Sequence, residues 1–158
     1  MNNNVTRLLD SKKIPYKAFE LSVEKHSAIE TARLLGVDQM LVYKTIVVIR
    51  EKGKPILAVI PGPHRVDLKL LAAALGEKKV SLPTEREAET LTGLQAGGIS
   101  PLALVNKGFQ VVLDSTASNR PEIHVSGGQR GLNIRLPVKA LVELTRARVA
   151  TISIPETN

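Results

Sequence analysis

Residues 45–50, Thr-Ile-Val-Val-Ile-Arg, form an almost unbroken β-branched run, and this run restricts the fold more than any other single feature. Branching at Cβ crowds a helix and suits the pleated surface of a sheet. A segment apolar on both alternating faces predicts a central strand buried on both sides. The polar turn Glu51-Lys52-Gly53-Lys54 follows, and Pro55 to Ile60 returns as a second apolar strand. The pair reads as a hairpin.

Helices and further strands can be placed around that hairpin. Val5, Leu8 and Leu9 recur at helical spacing, predicting a helix from Asn4 to Lys13 that stops before Pro15. Ile14 to Leu21 alternates as a strand. Ser27 with Glu30 has the spacing of a capping box and opens a second helix, which Gly36 closes. Asp67 caps a helix reaching Leu75 and ended by Gly76, and Thr84 caps another running to about Thr92. Strands are expected at Lys79–Leu82, Gln110–Asp114, Glu122–Ser126, Leu132–Leu136 and Val149–Ile154, with a helix at Val138–Thr145. Strands and helices alternate irregularly and no linker or repeat interrupts them. The expected fold is therefore α/β, one domain over residues 1–158 with a mixed, largely antiparallel central β-sheet surrounded by helices. The ends, residues 1–3 and 155–158, are expected to be flexible.

Composition narrows the chemistry. Cysteine is absent, so the chain offers neither a disulfide framework nor a thiol nucleophile of its own. His26, His64 and His124 lack metal-ligand spacing, no Gly-x-Ser-x-Gly elbow is present, and neither a metal nor a cofactor is expected. No apolar run approaches the roughly 18 residues of a membrane span, and the first residues do not resemble a secretion signal. A cytoplasmic protein without a membrane partner is the expectation. The formal charge of +7 is spread along the chain and suits a polyanionic partner, although it also serves solubility alone. Two Phe, two Tyr and no Trp argue against extensive base stacking.

Four stretches are candidate sites. Lys44, between Tyr43 and Thr45, precedes the β-branched run, where partial burial would lower its pKa; a solvated lysine ending a loop is the alternative. Gly97-Gly98-Ile99-Ser100-Pro101 has adjacent glycines whose N–H groups can approach a ligand or form an anion nest, or may be read as a plain turn. Ser126-Gly127-Gly128-Gln129-Arg130-Gly131 lacks the Lys-Ser/Thr ending of a phosphate loop, which disfavours nucleotide triphosphate hydrolysis. In the strand before it, Glu122, His124 and Ser126 share a face that lines a cleft or meets water.

The order of these pieces carries more than any one of them. Tyr43-Lys44-Thr45, Arg65-Val66-Asp67-Leu68, Gly97-Gly98-Ile99-Ser100-Pro101-Leu102 and Val125-Ser126-Gly127-Gly128-Gln129-Arg130-Gly131-Leu132 together resemble the YbaK-like aminoacyl-tRNA deacylases. That family is related to the editing domain of bacterial prolyl-tRNA synthetases, and the likeness runs from about Asn4 to Ile154. The resemblance implies a pocket with Lys44 as the essential lysine and Tyr43, Thr45, Gly97, Gly98, Ile99, Ser100, Pro101, Ser126 and Gly127 binding substrate. It implies release of a mischarged amino acid from tRNA, with cysteine on proline tRNA the leading substrate. Alanyl-tRNA is the alternative, and a non-catalytic tRNA- or partner-binding module the next. The implied partners are aminoacylated tRNA and prolyl-tRNA synthetase. Gln129 stands where the family more often has a basic residue, and Asn133 follows a position that varies.

Overall fold

The β-branched run and its return strand form the centre of a computed structural model that describes residues 2–156. In chain order the elements are α1 (Asn4–Ser11), β1 (Lys17–Glu20), α2 (Ala28–Leu35), β2 (Tyr43–Arg50), β3 (Ile56–Pro61), β4 (His64–Val66), α3 (Leu68–Leu75), β5 (Val80–Ser81) and α4 (Glu85–Thr92). They continue with β6 (Gln110–Asp114), β7 (Glu122–Ser126), β8 (Leu132–Pro137), α5 (Val138–Thr145), β9 (Arg148–Ala150) and β10 (Ser153–Pro155).

The strands are mixed and largely antiparallel, as the pattern predicted, but they form three ladders rather than one central sheet. The largest has the order β5-β2-β3-β6-β9, a second is β1-β8-β7, and β10 pairs with β4. In the large sheet β2 is antiparallel to both β5 and β3, whereas β6 runs parallel to β3 and to β9. The expected strand at Val149–Ile154 is in fact two strands in different ladders, and β4 was not foreseen.

Two cores follow from the two-residue period of the strands. Leu57 and Val59 of β3 face one core with Ile123, Val125, Ile134 and Leu136 of the three-stranded ladder, Leu9 of α1 and Leu141 of α5. Ile56, Ala58 and Ile60 face the other, with Leu71 of α3, Val112 and Ile152. All six residues of β3 are buried. The strand covered on both faces is thus β3, not β2. Although β2 has the more β-branched sequence, Lys44, Thr45 and Ile46 remain partly accessible.

Local signals set the helix ends. The side chains of Ser27, Asp67 and Thr84 accept the N–H of Glu30, Leu70 and Glu87 respectively, each satisfying an otherwise orphaned donor. Gly36, Gly76 and Gly93 close their helices in the left-handed conformation. The reciprocal half of the box expected at Ser27 does not form, because Glu30 turns instead to Arg33. The end segments, expected to be flexible, carry contacts at Asn3, Pro155 and Glu156. Asn3 caps α1 with a reciprocal Thr6 bond, Pro155 pairs with His64, and the Glu156 N–H donates to the Pro63 carbonyl at 3.0 Å. Met1, Thr157 and Asn158 of those end segments lie outside the described residues.

Candidate active site

Strand β2 has two unlike edges. One pairs with β3 from Tyr43 to Val48. The other meets β5 only at Ile49 and Arg50, with an isolated bridge from Val42 to His124. A cleft of about 610 Å³ is lined by Val42 to Val47, the stretch between those two attachments. Its other walls come from residues 24–29 before and within α2, Leu82 to Glu85, Ala96, Gly97 and Ile99, Ser126, Gly131 to Asn133, and Glu156.

The Lys44 side chain is half-buried and forms no hydrogen bond or ion pair among the described residues. Burial lowers its pKa below the ordinary 10.5, and the carboxylate of Glu156 acts in the opposite sense. A cation deprived of some water and not matched by a contact partner is primed to bind an anionic or carbonyl oxygen.

The two glycine-rich loops meet directly. A Cβ on Gly98 would lie 2.9 Å from the Gln129 Cα, so only a glycine allows this approach. Arg130 Nε donates to the Ala96 carbonyl at 2.7 Å, reinforcing the contact. The Asn3 amide donates to the Gly127 carbonyl at 2.9 Å and to Gln129 Oε1 at 3.0 Å. On the far side, the Leu21 N–H donates to the Gly131 carbonyl at 2.7 Å. The second loop is therefore held by α1, by the first loop and by the end of β1.

Of the ten residues predicted for the site, Tyr43, Lys44, Thr45, Gly97, Ile99 and Ser126 line the cleft, while Gly98, Ser100, Pro101 and Gly127 do not. Tyr43 packs in the core and its hydroxyl bonds Thr116 at 2.8 Å, making it wall more than ligand. Ser100 is wholly buried, its Oγ accepting the Leu102 N–H at 3.1 Å, and Pro101 starts the same short 3-10 turn. The Gly98 N–H donates to the Gln95 carbonyl at 2.8 Å, so the expected pair of Gly97 and Gly98 donors reduces to Gly97.

His124 neither lines the cleft nor meets water. It is buried behind it, its Nδ1 bonded to Asn133 Oδ1 at 2.8 Å and its ring 5.5 Å from that of Phe19. Burial pushes its pKa down, which favours the neutral ring, and because the Asn133 amide oxygen can only accept, the bond requires the proton on Nδ1. Asn133 itself lines the cleft, and the residue thereby joins a buried polar pair to the site. Sequence reasoning missed Glu156, the Lys25–Glu85 ion pair and the apolar wall given by Ile29 and Leu82. Among the described residues no group of three or more His, Asp or Glu side chains is arranged to hold a metal ion, and no helix is long and apolar enough to cross a membrane.

The fold that carries this cleft recurs among known proteins. The chain belongs to the aminoacyl-tRNA editing domain family, whose model matches residues 23–144. It is 38% identical over 155 residues to a protein of Enterococcus faecalis described as "Putative Cys-tRNA(Pro)/Cys-tRNA(Cys) deacylase EbsC", covering 97% of this chain and 94% of that one. A proline–tRNA ligase of Thermodesulfovibrio yellowstonii is 33% identical over 79 residues, which are 14% of that enzyme. Among solved structures, the hypothetical protein APE2540 superposes with a TM-score of 0.87 at 27% identity, over 96% of this chain and 100% of that one. A structure described as "a putative trans-editing enzyme for prolyl tRNA synthetase" gives 0.81 at 27% identity, over 99% of both chains.

Proposed function

We propose that this protein is a trans-editing deacylase that releases mischarged cysteine from Cys-tRNA(Pro), with Lys44 as the residue the reaction depends on. The observation that carries the reading is Lys44 itself, half-buried, without a contact partner, in a cleft along the open edge of β2. Membership of the editing family and the description of the Enterococcus relative support the substrate class. A cleft of about 610 Å³ falls within the usual range of small-ligand pockets and suits one aminoacylated terminal nucleoside. The basic surplus of the chain, +7 overall, serves the rest of the tRNA backbone.

Selection explains why such a site exists. A synthetase pocket gains only about 1–3 kcal/mol per methylene, so it admits some amino acids of similar or smaller size. A second site that acts on the product corrects this. For a cysteinyl ester the substrate brings its own nucleophile. The thiol sulfur bonds to the carbonyl carbon, the bond from that carbon to the ribose oxygen breaks, and the thiol proton ends on the ribose oxygen. The resulting cyclic thioester is then opened by water. Lys44 anchors the acylated end and stabilises charge developing on oxygen, and the Gly97 N–H adds a neutral donor. The protein acts in the cytoplasm alongside prolyl-tRNA synthetase.

Deacylation of a panel of mischarged tRNAs tests this reading, with Lys44→Ala as control. Release of cysteine that vanishes in Lys44→Ala and on blocking the substrate thiol is the expected result. Release at the wild-type rate by Lys44→Ala removes the lysine's role. Preference for alanyl-tRNA replaces the substrate, and tRNA binding without release from any charged tRNA replaces the activity.

A further inference from the structure

The chain beyond the region matched by the family model returns to the site. After β9, the Ile152 N–H donates to Asp114 Oδ1 at 3.0 Å, and the Ile152 carbonyl accepts the Asp67 N–H at 2.8 Å. Strand β10 then pairs Ser153, Ile154 and Pro155 with Val66, Arg65 and His64, and the Ser153 hydroxyl meets His64 Nδ1 at 2.8 Å. The Glu156 N–H bonds the Pro63 carbonyl at 3.0 Å. These contacts deliver Glu156 to the cleft wall, twelve positions past the last residue of the family match at 144.

Among the described residues three carboxylate side chains line the cleft: Glu24, Glu85 and Glu156. Glu85 is engaged by Lys25. Glu156 is tied through its N–H to the carbonyl of Pro63, just past Ile60, the cross-strand partner of Lys44, yet the Glu156 and Lys44 side chains form no ion pair among the described residues. The cleft thus presents a cation and an anion near each other but not joined. An aminoacyl ester has the matching polarity, with a carbonyl that takes up negative charge and, one carbon away, an α-ammonium.

We propose that Glu156 is a specificity residue that binds the α-ammonium group of the aminoacyl substrate, so that the ester carbonyl is turned toward Lys44. This rests on the reading of the cleft as an aminoacyl site and adds a residue and a substrate feature to it. A free α-amino group distinguishes an elongator aminoacyl-tRNA from an N-acylated one, and Glu156 reads that difference. Reversed binding would set the ammonium against Lys44 and is disfavoured by like charge.

The test uses 3′-cysteinylamino-3′-deoxyadenosine, an amide that is not turned over, and its N-acetylated form. Calorimetry measures the affinity of each for the full-length protein. Wild type is expected to bind the free amine about tenfold more tightly than the acetylated form, the scale of one charge-assisted hydrogen bond. Glu156→Gln should bring the two affinities together, while Glu24→Gln keeps the tenfold ratio. Retention of the ratio by Glu156→Gln, its loss in Glu24→Gln instead, or failure of wild type to bind the free amine each overturns the proposal. With Cys-tRNA(Pro) as substrate, Glu156→Gln should lower kcat/KM, since both the hold on the ammonium and the orientation of the carbonyl are lost. Absence of amino acid release by wild type would refute the deacylase reading alone, since the affinity ratio is read without turnover.

Discussion

Strands β2 and β3 lie side by side in antiparallel register, are both rich in β-branched and aliphatic residues, and do opposite work. β3 is flanked by β2 and β6 and covered by a core on each face, so its residues are used wholly for packing. Among the described residues β2 has no strand partner on its outer edge between Val42 and Ile49, and the cleft occupies that gap. Sequence character alone therefore does not separate a stabilising strand from a site-bearing one. The neighbours do.

The contrast is open to direct attack. Leu57→Ala in β3 removes a fully buried side chain and should cost about 2–5 kcal/mol in chemical denaturation, with turnover per folded molecule unchanged. Lys44→Ala, one strand away, should do the reverse, lowering deacylation by about 100-fold or more while raising the melting temperature. The sign of that rise follows from its pKa. A lysine whose value is depressed by folding opposes the folded state when charged; the penalty is complete below the depressed value and fades as pH climbs from there toward the ordinary 10.5. The gap in stability between wild type and Lys44→Ala should accordingly narrow in alkaline buffer. If Lys44→Ala melts lower than wild type at neutral pH, the lysine is structural and the contrast fails.

Smaller effects sharpen the picture. Gly98→Ala sets a methyl against the backbone of Gln129, and separating the two loops should cost about 1–3 kcal/mol in a thermal melt and raise KM several-fold. His124 should yield the smallest change. Its buried ring has a lowered pKa, so the unfolded chain takes up a proton first; stability should fall as pH drops from the ordinary 6.5 toward the lower folded value. Melting curves of His124→Gln should show a weaker acid dependence, and an unchanged slope would mean that other groups dominate.

What was readable in the sequence was local. Ser27, Asp67 and Thr84 as caps, Gly36 and Gly76 as stops, and the limits of β6, β7 and α5 follow from side-chain chemistry acting within a few residues. The partners of the strands were not readable, because β4 joins β10 across nearly ninety positions and a three-residue strand leaves little periodic signal. The site divides along the same line. Lys44 was a candidate beside the β-branched run, yet Glu85 and Glu156, which line the same cleft, belong to distant segments whose approach has no local mark. The resemblance set Ser100 and Pro101 among the substrate-binding residues; Ser100 is buried with its Oγ accepting the Leu102 N–H, and Pro101 heads a 3-10 turn. The resemblance to a family supplied the order of the pieces but not which atoms face the substrate.

The bond from Asn3 to the second glycine loop is made at residues that do not line the cleft, whereas Glu156, at the other end of the described chain, stands in the cleft wall. A polypeptide joined beyond residue 158, whether an affinity tag or a host enzyme, would start within a few residues of that wall. Extension there becomes a lever on who may enter, and fusions for assay are better made through an internal surface turn such as Glu51–Lys54.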